Sequence, residues 1–107
     1  MIIRSKAPLR LGLAGGGSDV SPYCDQFGGT ILNATINLYA YCSIIESNSD
    51  KIELIATDLQ VSLSYEVGKT LPIDGKLDLI KGVYNKIVKQ FDLDARSFKI
   101  VTYSDAP

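Results

Sequence analysis

Hydrophobic and polar positions alternate with period two over five stretches of the chain, and this alternation predicts five β-strands. In the first, "LRLGL", Leu9, Leu11 and Leu13 face one way, so we expect this strand to be half buried. The longest alternation runs from Ile31 to Ile45. "KIELIA", "VSLSYEV" and "SFKIVTYS" give the other three strands. An antiparallel meander is the simplest arrangement for the strands that follow one another directly.

A short helix is predicted between the first two strands. Its apolar positions recur at i, i+3, i+4 and i+7, at Val20, Tyr23, Cys24 and Phe27. Ser21 can cap this helix, Pro22 suits its first position, and Gly28 can end it. We expect fewer than two turns.

A long helix is predicted after the fourth strand, where the spacing of apolar residues becomes helical again. Asp78 is a plausible N-terminal cap, and Gly82 inside the helix costs about 1 kcal/mol relative to alanine. The apolar stripe consists of Ile80, Val83, Tyr84, Ile87 and Phe91, whereas Lys81, Lys86, Lys89 and Gln90 point away from it. A mostly antiparallel sheet with one long and one short helix makes the fold class α+β.

Composition limits the kind of protein. The 107 residues suffice for one domain with one core, and the net charge of −1 gives no basic surface for nucleic acid. No stretch approaches the roughly 18 to 20 apolar residues of a membrane span, so we expect a cytoplasmic protein. The chain has no histidine, which argues against a zinc site or a histidine-based triad. Cys24 and Cys42 are interpreted as reduced, structural thiols.

Three consecutive glycines, Gly15, Gly16 and Gly17, stand at the end of the first strand, directly before Ser18 and Asp19. A dinucleotide-binding fingerprint needs a different glycine spacing and a βαβ unit, and here further strands follow. A P-loop needs Gly-Lys-Ser/Thr after its second glycine, and no lysine is present. Neither nucleotide motif explains the glycines.

The glycines leave room for a bulky polar ligand, with the Ser18 hydroxyl and the Asp19 carboxylate at one edge and Arg10 on the polar side of the strand. A carboxylate that accepts hydroxyl groups, with an arginine for an anion, suits a sugar phosphate. From the residues alone a structural interpretation is favoured, in which the glycines make a tight turn, Asp19 caps a helix and Arg10 is solvated. The residues alone leave both open.

"APLRLGLAGGGSD" resembles the first motif of the GHMP kinases, the superfamily of galactokinase, homoserine kinase and mevalonate kinase. The form "AGGGSD" is similar to the branch that phosphorylates the anomeric hydroxyl of D-glycero-D-manno-heptose 7-phosphate and to fucokinase domains. "GGTILNATINLYAYCSI", "DGKLDLIKGVYNKIV" and "VTYSDAP" extend the resemblance over the whole chain. The resemblance implies the N-terminal part of the first GHMP domain, a two-layer fold like the second domain of a ribosomal protein.

The resemblance also implies roles for individual residues. Asp19 matches the acidic residue that holds sugar hydroxyls, and Gly15, Gly16, Gly17 and Ser18 match the turn that lines the sugar pocket. Arg10 matches a cationic residue near the phosphoryl acceptor and is the expected catalytic residue. Galactokinase-like members carry Glu-His where this chain has glycines, which leaves room for a larger sugar.

Residues 1–107 are expected to form an incomplete kinase domain that ends just before the phosphate-binding loop. The implied partners are a small sugar phosphate and ATP with Mg²⁺, and the implied residue that accepts the hydroxyl proton lies beyond this chain. We expect the chain alone to be inactive, and poorly soluble or associated, because apolar faces remain uncovered. A fucokinase-like enzyme and a non-catalytic sugar-binding or structural module are the alternatives, and the oligomeric state stays open.

Overall fold

A computed structural model describes residues 1–68, 70–94 and 96–107, and in this part of the chain it contains five strands and two helices. The strands are β1 (Ile2–Gly15), β2 (Ile31–Glu46), β3 (Lys51–Ala56), β4 (Val61–Glu66) and β5 (Phe98–Ser104). The helices are α1 (Tyr23–Phe27) and α2 (Asp78–Phe91). The number, type and order of the elements agree with the residue pattern, and the α+β class is confirmed. β1 begins at Ile2, seven residues before the predicted "LRLGL" strand.

The strand order in the sheet is β1-β2-β5-β3-β4, which corrects the expected meander. β3 pairs antiparallel with β4, with Leu54 opposite Leu63, as expected. On its other side β3 pairs in parallel with β5, with Leu54 opposite Ile100, so β5 separates β3 from β2. Alternation indicates which face of a strand is buried and not which strand lies beside it. The connection through α2 returns the chain to the centre of the sheet.

Internal contacts divide the chain into two units. The sheet-helix unit consists of Met1–Ser5 and Tyr41–Ser104. The glycine-turn unit consists of Lys6–Ala40 and Asp105–Pro107. The three glycines, Ser18, Asp19 and Arg10 all belong to the second.

The core of the sheet-helix unit lies where α2 and the segment before it cover β3 and β5. Ile52, Leu54, Leu71 and Ile100 form one buried cluster. Tyr84 of α2 packs edge-on against Phe98 of β5, with their ring centroids 5.7 Å apart. Each buried aliphatic side chain of this size contributes roughly 1.5–3 kcal/mol. Ile80 and Tyr84 of the predicted apolar stripe thus hold α2 on the sheet, whereas Val83, Ile87 and Phe91 are exposed.

Lys81 departs from the expected amphipathic pattern, because it is fully buried although it lies off the apolar stripe. Its ammonium group donates a hydrogen bond to Asp74 Oδ1 at 2.6 Å and lies 5.2 Å from the centroid of the Tyr65 ring. The hydrogen bond from Lys81 lowers the pKa of the Asp74 carboxyl group. A buried cation is tolerated when it is paired in this way. The pairing fastens the segment before α2 to the helix.

The ends of both helices differ in detail from the sequence prediction. Asp78 is the first residue of α2 and does not cap it; its carboxylate accepts hydrogen bonds from the N–H groups of Asp74 and Gly75. α1 begins after Pro22, and Ser21 donates to Asp25 Oδ1 at 3.0 Å without capping the backbone. Gly28 ends α1 with a φ of 71°, as expected. Neither of these helices has the length and apolar character needed to cross a membrane.

Apolar surface is exposed in both units. In the sheet-helix unit an open groove of about 760 Å³ lies between α2 and the strands, with Val83, Ile87 and Ile44 among its lining residues. In the glycine-turn unit Leu11 and Leu13 are 54% and 60% exposed, so of the three leucines expected to be half buried on β1 only Leu9 is. Nothing in the described part of the chain covers either surface.

We expect the 107-residue chain to self-associate when it is produced alone, because exposed apolar surface of this extent favours contacts between copies. Light scattering coupled to size-exclusion chromatography should give a mass above 11.6 kDa that rises with protein concentration. A monomeric mass at all concentrations, together with a sharp melting transition, would contradict this expectation.

Candidate functional site

The glycine turn, Gly15–Asp19, connects the end of β1 to the segment that leads into α1, and it packs against the start of β2. Gly15 has a φ of +86°, a left-handed conformation that favours glycine. A Cβ atom at Gly15 would lie 2.6 Å from the Thr30 carbonyl oxygen and 3.0 Å from the Ile31 Cα. The close approach of β2 therefore requires glycine at the first position of the turn.

Gly29 also packs against the turn, and the sequence pattern does not mark it as a site residue. A Cβ atom at Gly29 would lie 2.5 Å from the Ser18 carbonyl oxygen and 2.6 Å from the Asp19 Cα. Asp19 is thus positioned by backbone packing against Gly29. One feature of the sequence could have indicated this role. Two glycines stand together at positions 28 and 29, and ending α1 requires only the first of them.

Gly16 and Gly17 serve a different purpose from Gly15. A Cβ atom at either position would have no heavy atom within 4 Å, although Gly16 has a φ of +117°. In the part of the chain that the structure describes, no hydrogen bond is made by the N–H group of either residue. The missing side chains therefore leave open space, bordered by backbone donors, above the turn.

Ser18 and Asp19 occupy the far edge of the turn. The half-buried Ser18 Oγ accepts a hydrogen bond from the Thr30 N–H at 3.4 Å, so this side chain helps to hold the turn, and its O–H group can still donate. Asp19 is exposed, and its carboxylate has no hydrogen-bond partner among the described residues. An ionised carboxylate with both oxygens available can accept hydrogen bonds from neighbouring hydroxyls of one ligand.

Arg10 lies on β1, five residues before Gly15, which is roughly 16 Å along a strand. Its side chain is exposed and makes no hydrogen bond or ion pair with any other described residue. The structure therefore brings Gly15, Ser18 and Asp19 together in one turn, and Arg10 lies apart from them on β1.

No group of three acidic, histidine or cysteine side chains that could hold a metal ion exists among the described residues. Asp19 is the one carboxylate of the glycine turn, and Mg²⁺ bound to a nucleotide is usually held by one or two carboxylates together with phosphate oxygens. This part of the chain does not build a magnesium site by itself. Both cysteines are free, and partial burial raises the pKa of the Cys42 thiol.

A sequence comparison relates this turn to a known enzyme. D-glycero-alpha-D-manno-heptose 7-phosphate kinase of Campylobacter jejuni is 49% identical over 105 residues, which are 98% of this chain and 31% of the kinase. This chain is similar to the N-terminal third of heptose phosphate kinases. No protein-family model matches it.

Solved structures agree with this relationship. The D-glycero-D-manno-heptose 1-phosphate kinase of Bacteriodes thetaiotaomicron is 64% identical, with a TM-score of 0.89, and the match covers all of this chain and 35% of the kinase. The mevalonate kinase of Methanococcus jannaschii is 21% identical with a TM-score of 0.75, over all of this chain and 33% of that protein. The second likeness shows the fold alone, which is that of the N-terminal part of GHMP kinases. The chain spans about a third of the relatives it matches.

Replacing Gly29 with alanine should loosen the glycine turn, because the new methyl group would overlap the backbone of Ser18 and Asp19. Overpacking of this kind costs typically 1–3 kcal/mol. Amide hydrogen exchange of residues 15–19 and 29–31 should become faster. Gly17→Ala is the matched control, since its methyl group points into open space. Equal exchange rates in the two variants would show that Gly29 does not position the turn.

Proposed function

We propose that this chain is the N-terminal part of an ATP-dependent kinase that phosphorylates the anomeric hydroxyl of D-glycero-D-manno-heptose 7-phosphate. The observation that supports this most directly is the open glycine turn with an unpartnered Asp19 carboxylate, in a chain about half identical to a heptose 7-phosphate kinase. Gly16 and Gly17 carry no side chains that would take up the space a larger sugar needs. A seven-carbon sugar needs such space.

Each residue of the site has a role in the proposed reaction. Asp19 accepts hydrogen bonds from sugar hydroxyls and thereby orients the ring. Gly15, Gly16, Gly17 and Ser18 line the pocket, and the N–H groups of Gly16 and Gly17 donate to ligand oxygens. Arg10 lies near the acceptor hydroxyl and stabilises the negative charge that develops as the phosphoryl group is transferred. Asp19 is a binding residue, and Arg10 is the proposed catalytic residue.

The remaining two thirds of the whole protein must supply the nucleotide site. ATP supplies the phosphoryl group, and Mg²⁺ neutralises charge on its phosphates. We propose that the phosphate-binding loop and the residue that accepts the hydroxyl proton belong to the part of the whole kinase outside residues 1–107. An ATP-dependent enzyme of this kind works in the cytoplasm. Its products feed the formation of nucleotide-activated heptose.

The proposal is tested by assaying the whole protein with Mg·ATP against a panel of acceptors. The panel contains D-glycero-D-manno-heptose 7-phosphate, the 1-phosphate named for the Bacteriodes relative, fucose and galactose. ³¹P NMR of the product should show a new anomeric phosphate on heptose 7-phosphate, and kcat/KM should be highest for that acceptor.

Each other outcome of the assay contradicts part of the proposal. A preference for fucose would identify a fucokinase-like enzyme on the same fold. Binding of sugar without phosphoryl transfer to any acceptor would identify a non-catalytic sugar-binding module. Transfer to a heptose position other than the anomeric oxygen would reject the proposed regiochemistry while keeping the kinase.

A further inference from the structure

Three side chains of α2 hold the segment that precedes the helix, residues 71–77, which we call the strap. Asn85 accepts a hydrogen bond from the Leu71 N–H at 2.9 Å and donates one to the Leu71 carbonyl oxygen at 2.8 Å. The Leu71 side chain is 2% exposed and belongs to the buried core cluster. The other two side chains, Asp78 and Lys81, bind the middle of the strap. The strap therefore closes over one end of the core.

The two charges of the ion pair between the strap and α2 differ in their contact with water. The Lys81 side chain is fully buried, whereas 44% of the Asp74 side chain is exposed. Lys81 Nζ lies 2.6 Å from Asp74 Oδ1, and the Asp78 carboxylate is farther away, at 4.0 Å. The hydrogen bond from Lys81 lowers the pKa of the Asp74 carboxyl group, so Asp74 is ionised at neutral pH. An exposed charge thus compensates a buried one.

The strap ends in a residue with an unfavourable backbone conformation. Leu77 has a φ of 52° and a ψ of 37°, in the left-handed region that a leucine seldom adopts. Its carbonyl oxygen accepts the Lys81 N–H at 3.1 Å, and its side chain packs against the core cluster. Such a conformation persists where the surrounding contacts impose it. Opening the strap would release Leu77 from it.

We propose that the strap opens and closes as a local unit and that the charge of Asp74 keeps it closed over Lys81. A buried ammonium group without its partner is strongly unfavourable, so the closed strap does not tolerate loss of the Asp74 charge. Opening hydrates Lys81 and relaxes Leu77, while the ladder between β3 and β5 stays intact because it does not include the strap. This inference goes beyond the proposed function, since it involves neither the sugar nor the nucleotide.

Amide hydrogen exchange of the whole protein tests the proposal with Asp74→Asn, which keeps the shape of the side chain and removes its charge. Exchange of the Leu71 and Gly75 N–H groups should become about tenfold faster or more, whereas exchange of the β3 amides should stay within about twofold of the wild type. Asp58→Asn is the matched control, because Asp58 is an exposed carboxylate in the turn between β3 and β4. It should change neither rate.

Lys81→Met shows whether the buried charge causes the opening. The double variant Asp74→Asn/Lys81→Met leaves no charge unpaired, and methionine keeps an apolar stem beside Tyr65, so strap exchange should return to within about threefold of the wild type. In Asp74→Asn alone, acylation of Lys81 by acetic anhydride, measured by mass spectrometry against exposed Lys86, should rise about tenfold or more.

Three results would overturn the proposal. The first is unchanged strap exchange or unchanged Lys81 acylation in Asp74→Asn. The second is an equal acceleration at the β3 amides, which would mean that the strap does not open separately from the sheet. The third is failure of Lys81→Met to restore slow exchange, which would mean that the hydrogen bonds of Asp74, and not its charge, hold the strap.

Discussion

Asp19→Ala in the whole protein is expected to abolish phosphorylation of heptose 7-phosphate while leaving ATP binding intact. Asp19 is the one carboxylate of the glycine turn, and among the described residues nothing else competes for its oxygens. Each hydrogen bond to a charged group is worth about 1.5–3 kcal/mol. Loss of two such bonds should lower kcat/KM at least a hundredfold. Steady-state kinetics and nucleotide titration measure the two effects separately.

Asp25→Asn provides the control for Asp19, because Asp25 is a nearby carboxylate of α1 whose oxygen accepts a hydrogen bond from Ser21. We expect Asp25→Asn to leave kcat/KM within about threefold of the wild type. An Asp19→Ala variant that still phosphorylates heptose 7-phosphate at the wild-type rate would show that the glycine turn does not bind the sugar.

Arg10→Met should lower kcat by about 10² to 10³, the usual effect of removing one preorganised group that stabilises charge in the transition state. The side chain is exposed and unpaired in the described part of the chain, so its removal leaves no other charge without a partner. The melting temperature should therefore change little. Stopped assays at saturating substrates give kcat, and calorimetry gives the melting temperature.

Arg10→Lys shows whether kcat depends on the positive charge at this position or on the planar guanidinium group. Lysine keeps the positive charge but loses the planar set of donors, so we expect partial recovery of kcat. If Arg10→Met raised KM for the sugar and left kcat unchanged, Arg10 would be a binding residue and not a catalytic one.

The elements of the fold could be predicted from the sequence because each has a clear hydrophobic period. β2, predicted as Ile31 to Ile45, is observed as Ile31–Glu46, and α2 carries its predicted apolar stripe over Asp78–Phe91. The neighbours of β5 could not be predicted, because an alternating strand fits an edge or a centre position equally well. Its central place follows from the packing of α2, a long-range contact.

The burial of Lys81 shows a second limit of pattern analysis. A lysine off the apolar stripe is ordinarily solvated, yet here Asp74, seven residues earlier, supplies the partner that makes burial possible. The partner lies in a segment without periodicity, so the pairing depends on how that segment folds back on α2. A sequence pattern carries no information about that path.

In the glycine turn, too, some features follow from the sequence pattern and others depend on long-range contacts. The requirement for glycine at position 15 comes from packing against β2, as the structural interpretation expects, and the open space at Gly16 and Gly17 and the exposure of Asp19 leave the ligand-binding interpretation as a prediction. Gly29 was missed because its role depends on two backbone segments that approach within van der Waals distance. Such a contact between residues 10 or more positions apart has no signature in local composition.

The two hydrogen bonds between Tyr39 and Asp105 link residues 66 positions apart inside the glycine-turn unit. During synthesis on the ribosome, the first 40 residues therefore emerge well before the partner that completes their unit. Contacts of such long sequence separation form late, since closing the loop costs entropy before the contact is gained. The glycine-turn unit is therefore completed only after Asp105 has been synthesised, and until then the exposed Leu11 and Leu13 of β1 belong to an incomplete unit of the kind that is prone to aggregate.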